Sequence, residues 1–239
     1  MKENFKLSSV SFFCPAYNDV GNLPELIPVA HDFLRKNSDR FEIVIIDDGA
    51  KDGTGRVADE LAQKFTNIKV IHHEKNKGYN ATLKEGFENG AEGQYEYVMY
   101  TDGDNQYDVY EFGPYLHLLQ DNDVIAGYAT KKAVSTFRKF QSLVYNILIN
   151  ILFWSNFRDV NCAMKIFKKS ILQRIQISSS SYGAFIDAEL ILKAKKLGCK
   201  IAQFSVTHYE RKTGIASGSK PKVIFQTIID MLKLRFGLL

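Results

Sequence analysis

Blocks of apolar residues alternate with polar segments along the first hundred residues of the chain. Short runs rich in β-branched and aromatic residues predict strands over 10–14, 41–46, 68–72 and 97–100. Apolar residues at helical spacing lie between them and predict helices from Asn22 onward, over 55–65 and over 81–90. The run 41–46 is almost wholly apolar, which is typical of a strand covered on both faces. This order predicts an α/β fold with a doubly wound, mainly parallel twisted sheet flanked by helices.

The second half of the chain has a different order of elements. Strands are predicted over 123–128 and 201–206, and a polar loop over 157–167 leads into a further short strand. Helices are predicted over 138–154, 187–198 and 223–234.

The predicted helix over 138–154 is amphipathic. Its apolar stripe has helical spacing and comprises Phe140, Leu143, Val144, Ile147, Leu148, Ile151 and Leu152. Asn146 and Asn150 interrupt the stripe, and its apolar runs are too short to span a bilayer. Two interpretations stay open. The stripe packs on the protein core, or the helix lies at a membrane interface with Phe153 and Trp154 near its end.

Polar segments follow each of the first four predicted strands, over 15–19, 47–54, 76–80 and 102–108. Ligands of doubly wound sheets bind beyond the carboxyl ends of the strands, so these segments are expected to converge on one edge. The last segment contains Asp102 and Asp104, whose side chains can point the same way. Two such carboxylates suit a hard divalent cation that carries a phosphate ligand, and the alternative is an ordinary polar turn. Convergence with three other polar loops favours the cation site.

The composition excludes some classes of function. The chain has 239 residues, of which 45% are hydrophobic, enough for a large buried core. The formal net charge of +4, from 31 basic and 27 acidic residues, is too small for the footprint of a nucleic-acid-binding protein. Cys14, Cys162 and Cys199 match neither a metal site nor a disulfide framework, which favours a reducing cytoplasm. The segment 1–9 is polar and lacks the apolar core of a signal peptide.

The four polar segments carry ordered motifs. They are Pro15-Ala16-Tyr17-Asn18-Asp19, Asp47-Asp48-Gly49-Ala50-Lys51-Asp52-Gly53-Thr54, Asn76-Lys77-Gly78 and Asp102-Gly103-Asp104-Asn105-Gln106. Through them the chain resembles the inverting glycosyltransferases of family 2, which have the Rossmann-like GT-A fold. Within that family it resembles the branch of polyprenyl- and dolichyl-phosphate sugar synthases. The resemblance covers 10–220 and departs from the family's pattern at Asp19, where glutamate is usual, and at Ala50, where serine is usual.

The resemblance assigns the amino-terminal motifs to the sugar donor. It implies that the nucleotide is bound by Pro15, Tyr17, Asp19, Asp47, Asp48, Lys77, Gly78 and Asp102. It further implies a Mg²⁺ or Mn²⁺ cofactor, bound by Asp102, Asp104 and Gln106, that stabilises the departing nucleoside diphosphate. Carboxylates accept hydrogen bonds from base and ribose groups, which fits such a site. Lys77 alone is equally typical of a solvated surface lysine.

The carboxyl-terminal motifs are assigned by the same resemblance to the acceptor. It implies that the acceptor and its phosphate are bound by Arg138, Asn146, Asp159, Lys165, His208, Arg211, Ser217 and Lys220. In the motif that begins at Asp159, the usual Ser, Gly, Phe and Arg are replaced by Cys162, Ala163, Met164 and Lys165. Lys165 keeps the charge but loses the bidentate geometry of arginine, so donor or acceptor choice is expected to differ from that of the mannosyl members.

Catalytic roles are expected for Asp104, Arg138 and Asp187. Asp187 and Glu189 match an acidic pair of the family, one member of which acts as general base towards a hydroxyl acceptor. A phosphate acceptor is already largely ionised, and towards it Asp187 is expected to orient rather than to deprotonate. Acids are also favoured in the first turn of any helix, which is the alternative explanation for both residues.

These features together predict metal-dependent, inverting transfer of a sugar from a UDP- or GDP-sugar to a polyprenyl phosphate. The catalytic domain is expected over 1–220, followed by a C-terminal amphipathic helix over 221–239. The expected location is cytoplasmic and peripheral on the inner face of the membrane, with no nucleic-acid partner, and a homo-oligomer is left open. The alternatives are a soluble glycosyltransferase with a glycan hydroxyl acceptor and a non-catalytic module that binds a sugar nucleotide.

Overall fold

The computed structural model describes residues 5–180, 183–211 and 221–238. Its strands are β1 (Leu7–Ala16), β2 (Ser38–Asp47), β3 (Ile68–His72), β4 (Tyr97–Tyr100), β5 (Val124–Lys132), β6 (Lys165–Lys168) and β7 (Ile201–His208). Its helices are α1 (Leu23–Asn37), α2 (Thr54–Lys64), α3 (Tyr79–Glu92), α4 (Thr136–Phe153), α5 (Lys169–Leu172), α6 (Ile186–Lys196) and α7 (Pro221–Arg235). Ser217 and Lys220, both predicted to bind the acceptor, lie outside the described residues.

The strands of these ranges form one sheet in the order β3-β2-β1-β4-β6-β5-β7. Strands β3, β2, β1 and β4 are parallel to one another, and β5 is parallel to β7. Strand β6 runs antiparallel to both of its neighbours, β4 and β5. The predicted α/β fold with a mainly parallel sheet is therefore confirmed. The insertion of β6 places Lys165 beside Tyr100, the last residue of β4.

Helix α3 packs closely on the sheet because two of its residues are glycines. A Cβ atom on Gly86 would lie 2.3 Å from the Phe13 ring, and one on Gly90 would lie 2.7 Å from Val98. The Phe13 ring in turn stacks on Tyr100, with ring centroids 5.4 Å apart. Full burial of a side chain such as Phe13 stabilises the fold by roughly 1.5–3 kcal/mol. This packing brings the start of α3 to the carboxyl end of β4.

Strand β1 extends further than its sequence pattern predicts. The pattern predicts a strand that ends at Cys14 and a loop from Pro15, but β1 continues through Ala16 in register with β2. Proline is tolerated because β4 ends opposite Phe13, so no neighbouring strand needs a donor from Pro15. The Pro15 carbonyl instead accepts a hydrogen bond from Gly103 N at 3.1 Å.

Strands β5 and β7 also run beyond their predicted limits, to Lys132 and His208, which lie opposite each other in the ladder. The extension brings both residues to one end of the sheet. A 3-10 segment over Val109–Gln120 was not predicted, because Gly113 and Pro114 break any helical pattern there. Asp108 begins this segment by accepting a hydrogen bond from Tyr110 N at 2.9 Å.

Helix α4 exposes most of its apolar stripe. Its buried residues are Asn146 and Ile149. Its exposed apolar residues are Phe137, Phe140, Leu143, Val144, Ile147, Leu148 and Ile151. The interpretation that the stripe packs on the protein core is therefore wrong for most of its length. Helix α7 contacts α4 and also exposes apolar residues, namely Ile224, Phe225, Ile228 and Leu232. Among the described helices, none is both long enough and apolar enough to cross a membrane.

Candidate active site

The loops that follow β1, β2 and β4 meet at the carboxyl edge of the sheet. Asp48 N donates to Ala16 O at 2.9 Å, and Gly103 N donates to Pro15 O. A Cβ atom on Gly103 would lie 2.5 Å from that carbonyl oxygen, so glycine is needed for this close approach. The predicted donor loop at Pro15 and the predicted metal loop are thus in direct backbone contact.

The Asp48 carboxylate holds the loop between β3 and α3 in place. Its oxygens accept hydrogen bonds from Lys77 N at 2.8 Å and from Gly78 N at 3.0 Å. His73 Nδ1 lies 2.7 Å from Asp48 Oδ1, and His73 Nε2 lies 2.8 Å from Glu85 Oε2. Asp48 is buried, and these partners satisfy its carboxylate. Asp48 therefore shapes this loop, while its direct contact with a nucleotide stays a prediction.

Asp47 secures the turn that precedes α2. Its oxygens meet Ala50 N at 3.0 Å and His72 Nδ1 at 3.1 Å. The hydrogen bond to Asp47 raises the pKa of His72. Gly49 in this turn has a φ of +67°, and a Cβ atom there would lie 2.6 Å from the backbone of Lys75. Glycine therefore lets the turn lie directly on the loop after β3.

The loop after β1 presents the exposed aromatic ring of Tyr17. Beneath it, the buried Asp19 carboxylate accepts hydrogen bonds from Tyr17 N at 2.9 Å and from Asn22 Nδ2 at 2.8 Å. Burial raises the pKa of Asp19. A ring held in this way offers an apolar face to a nucleobase. The Lys77 ammonium lies 3.2 Å from Glu85, and its contact with a nucleotide stays a prediction.

Asp102 and Asp104 concentrate negative charge at the end of β4. Asp102 Oδ1 accepts a hydrogen bond from Tyr79 OH at 3.0 Å, and Asp104 Oδ1 accepts one from Gln106 N at 3.1 Å. Burial raises the pKa of both carboxyl groups, and the charges of Asp104 and Asp187 raise the pKa of Asp102 further. A divalent cation would relieve this repulsion. The two side chains therefore fit the predicted Mg²⁺ or Mn²⁺.

Two protein carboxylates are enough for such an ion, which commonly takes its other ligands from water and substrate phosphates. The part of the chain that the structure describes contains no group of three or more His, Cys, Asp or Glu side chains suited to a metal. Gln106, the predicted third ligand, has its amide engaged elsewhere. Its oxygen accepts from Arg211 Nε at 3.3 Å, and its nitrogen donates to Tyr209 O at 2.9 Å. Its role as a ligand stays a prediction.

Arg211 extends from the end of β7 to the acid pair. Its guanidinium donates to Asp104 Oδ2 and lowers the pKa of Asp104, against the effect of burial. The structure thereby brings a residue predicted to bind the acceptor into direct contact with a predicted metal ligand.

Asp187 lies in the first turn of α6 and is 3% exposed. Its Oδ1 accepts hydrogen bonds from Lys165 Nζ at 2.6 Å and from Tyr100 OH, and Tyr79 OH lies 3.3 Å from its Oδ2. Lys165 is 0% exposed and also donates to Cys162 O. The Lys165 ammonium therefore has no surface open to an acceptor phosphate in this structure.

Glu189, the other acid of the predicted pair, has a different environment. It is fully buried and accepts hydrogen bonds from Ser178 N at 2.7 Å and Ser179 N at 2.9 Å. Its ion pair with Lys193 has an N–O distance of 2.6 Å. Glu189 therefore holds the loop before α6.

A cavity of about 750 Å³ lies between α4 and the carboxyl ends of β5 and β7. The cations that line it are Lys131, Lys132, Lys139 and Arg158. One carboxylate, Glu210, also lines it, with the polar side chains of Ser142, Asn146 and His208. Lys132 Nζ lies 2.7 Å from both Ser142 Oγ and Asp159 Oδ2. His208 Nδ1 is buried without a hydrogen-bond partner among the described residues, and burial lowers the pKa of His208. Excess positive charge and an unsatisfied polar atom suit an anionic ligand.

The sequence profile of glycosyl transferase family 2 matches residues 11–176 of the chain. The chain belongs to this family. It is 28% identical over 244 residues to a dolichyl-phosphate beta-glucosyltransferase of Trichomonas vaginalis, with 94% of this chain and 72% of the relative covered. It is 24% identical over 208 residues to the undecaprenyl-phosphate mannosyltransferase of Micrococcus luteus, with 84% and 83% covered.

The structure of this family 2 glycosyltransferase also matches a solved structure. Glucosyl-3-phosphoglycerate synthase from Mycobacterium tuberculosis, in complex with Mn²⁺, UDP-glucose and phosphoglyceric acid, aligns with a TM-score of 0.72 at 16% identity. The alignment covers 96% of this chain and 80% of that one. The likeness shows a common fold, so the GT-A fold implied by the sequence motifs is confirmed.

Two residues that the structure places in the candidate site were missed from the sequence. Lys132 follows an apolar strand together with Lys131, which is the signal that could have indicated it. Tyr79 directly follows the Asn-x-Gly motif and could have been included with it. Arg138, expected to be catalytic, lies half-exposed in the first turn of α4 and is not among the described residues that line the cavity.

Asn146 lines the cavity but has a clear structural task as well. Its oxygen accepts a hydrogen bond from Val160 N at 3.0 Å, and its nitrogen donates to Ser142 O at 2.8 Å. This contact fixes α4 against the loop that carries Asp159, so any role of Asn146 in acceptor binding stays a prediction.

Proposed function

We propose that this family 2 glycosyltransferase transfers a sugar from a UDP- or GDP-sugar to a polyprenyl phosphate, with inversion at the anomeric carbon. The observation that carries the proposal is the cationic cavity beside the exposed apolar face of α4. Cationic side chains bind a phosphate, and an apolar helix face accommodates the attached hydrocarbon. The relatives named for dolichyl phosphate and undecaprenyl phosphate support the same class of acceptor.

A phosphate monoester is largely ionised at neutral pH, so its oxygen attacks the anomeric carbon without a general base. The bond from this oxygen to the anomeric carbon forms as the bond from that carbon to the donor diphosphate breaks. The nucleoside diphosphate leaves with the electron pair. Mg²⁺ or Mn²⁺, held by Asp102 and Asp104, would supply charge stabilisation for this leaving group. Arg211 adds a fixed positive charge beside the same carboxylates.

Lys132 is the residue we expect to hold the acceptor phosphate. Asp159 and Ser142 fix the position of its ammonium at the end of β5. His208 lies opposite Lys132 across the β5–β7 ladder and lines the same cavity. Because burial lowers the pKa of His208, its imidazole is neutral at pH 7 and offers hydrogen bonds without adding charge.

Contact with a membrane surface is part of the proposal. Phe140 and Ile151 on α4 and Phe225 on α7 are 61%, 65% and 66% exposed. The Arg235 guanidinium stacks on the Trp154 ring, 4.9 Å from its centroid, an arrangement suited to the headgroup layer. We infer a peripheral location on the inner face of the membrane.

The test is a transfer assay with UDP-glucose, UDP-N-acetylglucosamine and GDP-mannose, each with a short polyprenyl phosphate in detergent. We expect a lipid-linked monosaccharide whose formation requires Mg²⁺ or Mn²⁺ and stops with EDTA. The same assay with polyprenol, which lacks the phosphate, should give no product. Lys132→Met should raise the KM for the lipid phosphate about tenfold or more and leave the donor KM unchanged. Lys64→Met on α2 is the matched control, and absence of product with all three donors would contradict the proposal.

A further inference from the structure

Lys165 and Asp187 form a buried ion pair at the centre of the sheet edge. The antiparallel β6 places Lys165 beside Tyr100, and the first turn of α6 places Asp187 above both. Lys165 Nζ lies 2.6 Å from Asp187 Oδ1 and 5.5 Å from the centroid of the Tyr100 ring. Breaking such a pair by removing one partner leaves an uncompensated buried charge.

Donor groups surround the carboxylate of Asp187. Oδ1 accepts from Lys165 and Tyr100, and Tyr79 OH lies within reach of Oδ2. A general base needs a free lone pair directed at the proton of the acceptor. Asp187 is 3% exposed and its charge is held by the Lys165 ammonium, so it is poorly placed to take that proton. The arrangement therefore suits a residue that orients its neighbours.

Tyr79 connects this ion pair to the predicted metal ligands. Its hydroxyl group has a single proton and lies 3.0 Å from Asp102 Oδ1 and 3.3 Å from Asp187 Oδ2. The two carboxylates compete for this proton. The positive charge of Lys165 neutralises Asp187, so Asp187 attracts the Tyr79 hydroxyl group less strongly. Tyr79 therefore donates its hydrogen bond to Asp102, whose Oδ1 lies at the shorter distance of 3.0 Å.

We propose that Lys165 is a positioning residue: by neutralising Asp187 it leaves the Tyr79 hydroxyl group to Asp102, and so holds Asp102 in the orientation that binds the metal. In this arrangement Asp187 does not deprotonate the acceptor, and the enzyme requires an acceptor that arrives already ionised. The second statement rests on the proposed function, whereas the first concerns metal binding alone.

The test measures the affinity for Mn²⁺ alone by electron paramagnetic resonance, which needs neither donor nor acceptor. Lys165→Met should weaken Mn²⁺ binding about tenfold, because Asp187 then draws the Tyr79 proton away from Asp102. Asp187→Asn should leave the affinity within about threefold of the wild type, because an amide oxygen competes weakly. The double variant Lys165→Met/Asp187→Asn should recover the affinity, because it removes the buried charge and its partner together.

Two further variants keep the test decisive where Lys165→Met does not fold. Tyr79→Phe removes the connecting hydroxyl without burying a charge, and it should weaken Mn²⁺ binding to a similar extent with an almost unchanged Tm. Lys193→Met is the matched control, because it breaks the buried pair with Glu189, also at 2.6 Å on α6. It should lower the Tm and leave the Mn²⁺ affinity within about twofold.

Activity with a polyprenyl phosphate then separates positioning from base catalysis. Asp187→Asn should retain kcat within about tenfold of the wild type, whereas loss of a general base typically costs about 10²–10⁴-fold. Unchanged Mn²⁺ affinity in Tyr79→Phe would overturn the positioning role. A loss of about 10³-fold in kcat for Asp187→Asn with normal Mn²⁺ affinity would overturn the claim about the acceptor. If the wild type makes no lipid product, the proposed function fails while the Mn²⁺ measurements still decide the positioning role.

Discussion

The guanidinium of Arg211 donates to the carboxylate of Asp104. These residues are separated by more than a hundred positions in the sequence, and they meet because β7 ends beside the loop that follows β4. The arginine thus neutralises one of the two carboxylates predicted to bind a divalent cation. Arg211 and the cation compete for Asp104 until a diphosphate, with its own negative charge, is present to bind both.

This competition predicts opposite effects of one substitution. Arg211→Ala should strengthen binding of Mn²⁺ alone by about threefold to tenfold, because a competing cation is removed. It should also lower kcat by about 10²-fold, because the leaving diphosphate loses a positive charge. Electron paramagnetic resonance measures the Mn²⁺ affinity, and the transfer assay measures kcat. Arg56→Ala removes a surface arginine paired with Glu60 at 3.9 Å and should change neither. Weaker Mn²⁺ binding in Arg211→Ala would show that no such competition exists.

The contact between Gly103 and Pro15 predicts that a single methyl group disturbs the metal site. A Cβ atom on Gly103 would lie 2.5 Å from Pro15 O, so Gly103→Ala must shift the loop that carries Asp102 and Asp104. Misplacement of catalytic groups by about 1 Å can cost about 10²-fold, and we expect a loss of that order in kcat/KM.

The matched control for this change is Gly113→Ala in the 3-10 segment. A Cβ atom there would lie 3.7 Å from the Phe33 ring, which is an ordinary contact. Gly113→Ala should therefore keep full activity, and both variants should show a cooperative unfolding transition. Equal activity of Gly103→Ala and the wild type would mean that the loop tolerates the shift.

The exposed apolar face of α4 predicts binding to lipid vesicles. Phe140→Glu/Ile151→Glu should abolish cosedimentation with anionic phospholipid vesicles, because two charges replace apolar side chains at the interface. Val29→Glu, on an exposed position of α1, makes the same type of change away from α4 and should leave vesicle binding intact. If the α4 double variant still binds vesicles, the exposed stripe is not the surface that binds the membrane.

We predict that the stability of the protein depends on pH through His72. The hydrogen bond to Asp47 raises the pKa of His72 in the folded protein above its unfolded value, so the folded state binds the proton more tightly. The stabilisation of the folded state by protonated His72 is fully present below the unfolded pKa, about 6.5. It is lost as the pH rises through the raised folded pKa. The free energy of unfolding in urea should therefore differ more between the wild type and His72→Gln at about pH 6 than at about pH 8.5.

His117→Gln, in the 3-10 segment, controls for the loss of a histidine as such. Its difference from the wild type should be smaller. A difference between the wild type and His72→Gln that is constant with pH would show that folding does not raise the pKa of His72.

Local patterns in the sequence determined much of this protein. The order of strands and helices follows from apolar periodicity, because each element must bury one face or both. Gly49 and Gly103 mark where the chain leaves the sheet after β2 and β4, because glycine frees the backbone locally. The acid pair Asp102 and Asp104 and its neighbouring motifs also stand in short segments, which is why the family could be identified from them.

Only the tertiary structure decided which of these residues meet. No periodicity shows that β6 inserts antiparallel and buries Lys165 against Asp187, or that Arg211 returns to Asp104. The stripe of α4 has the same spacing whether it faces the core or the solvent, and the packing of the sheet leaves it exposed. Lys132 and His208 line one cavity because β5 and β7 are longer than their apolar cores. Such pairings depend on how distant segments pack, and a local pattern records only which face of each element is apolar.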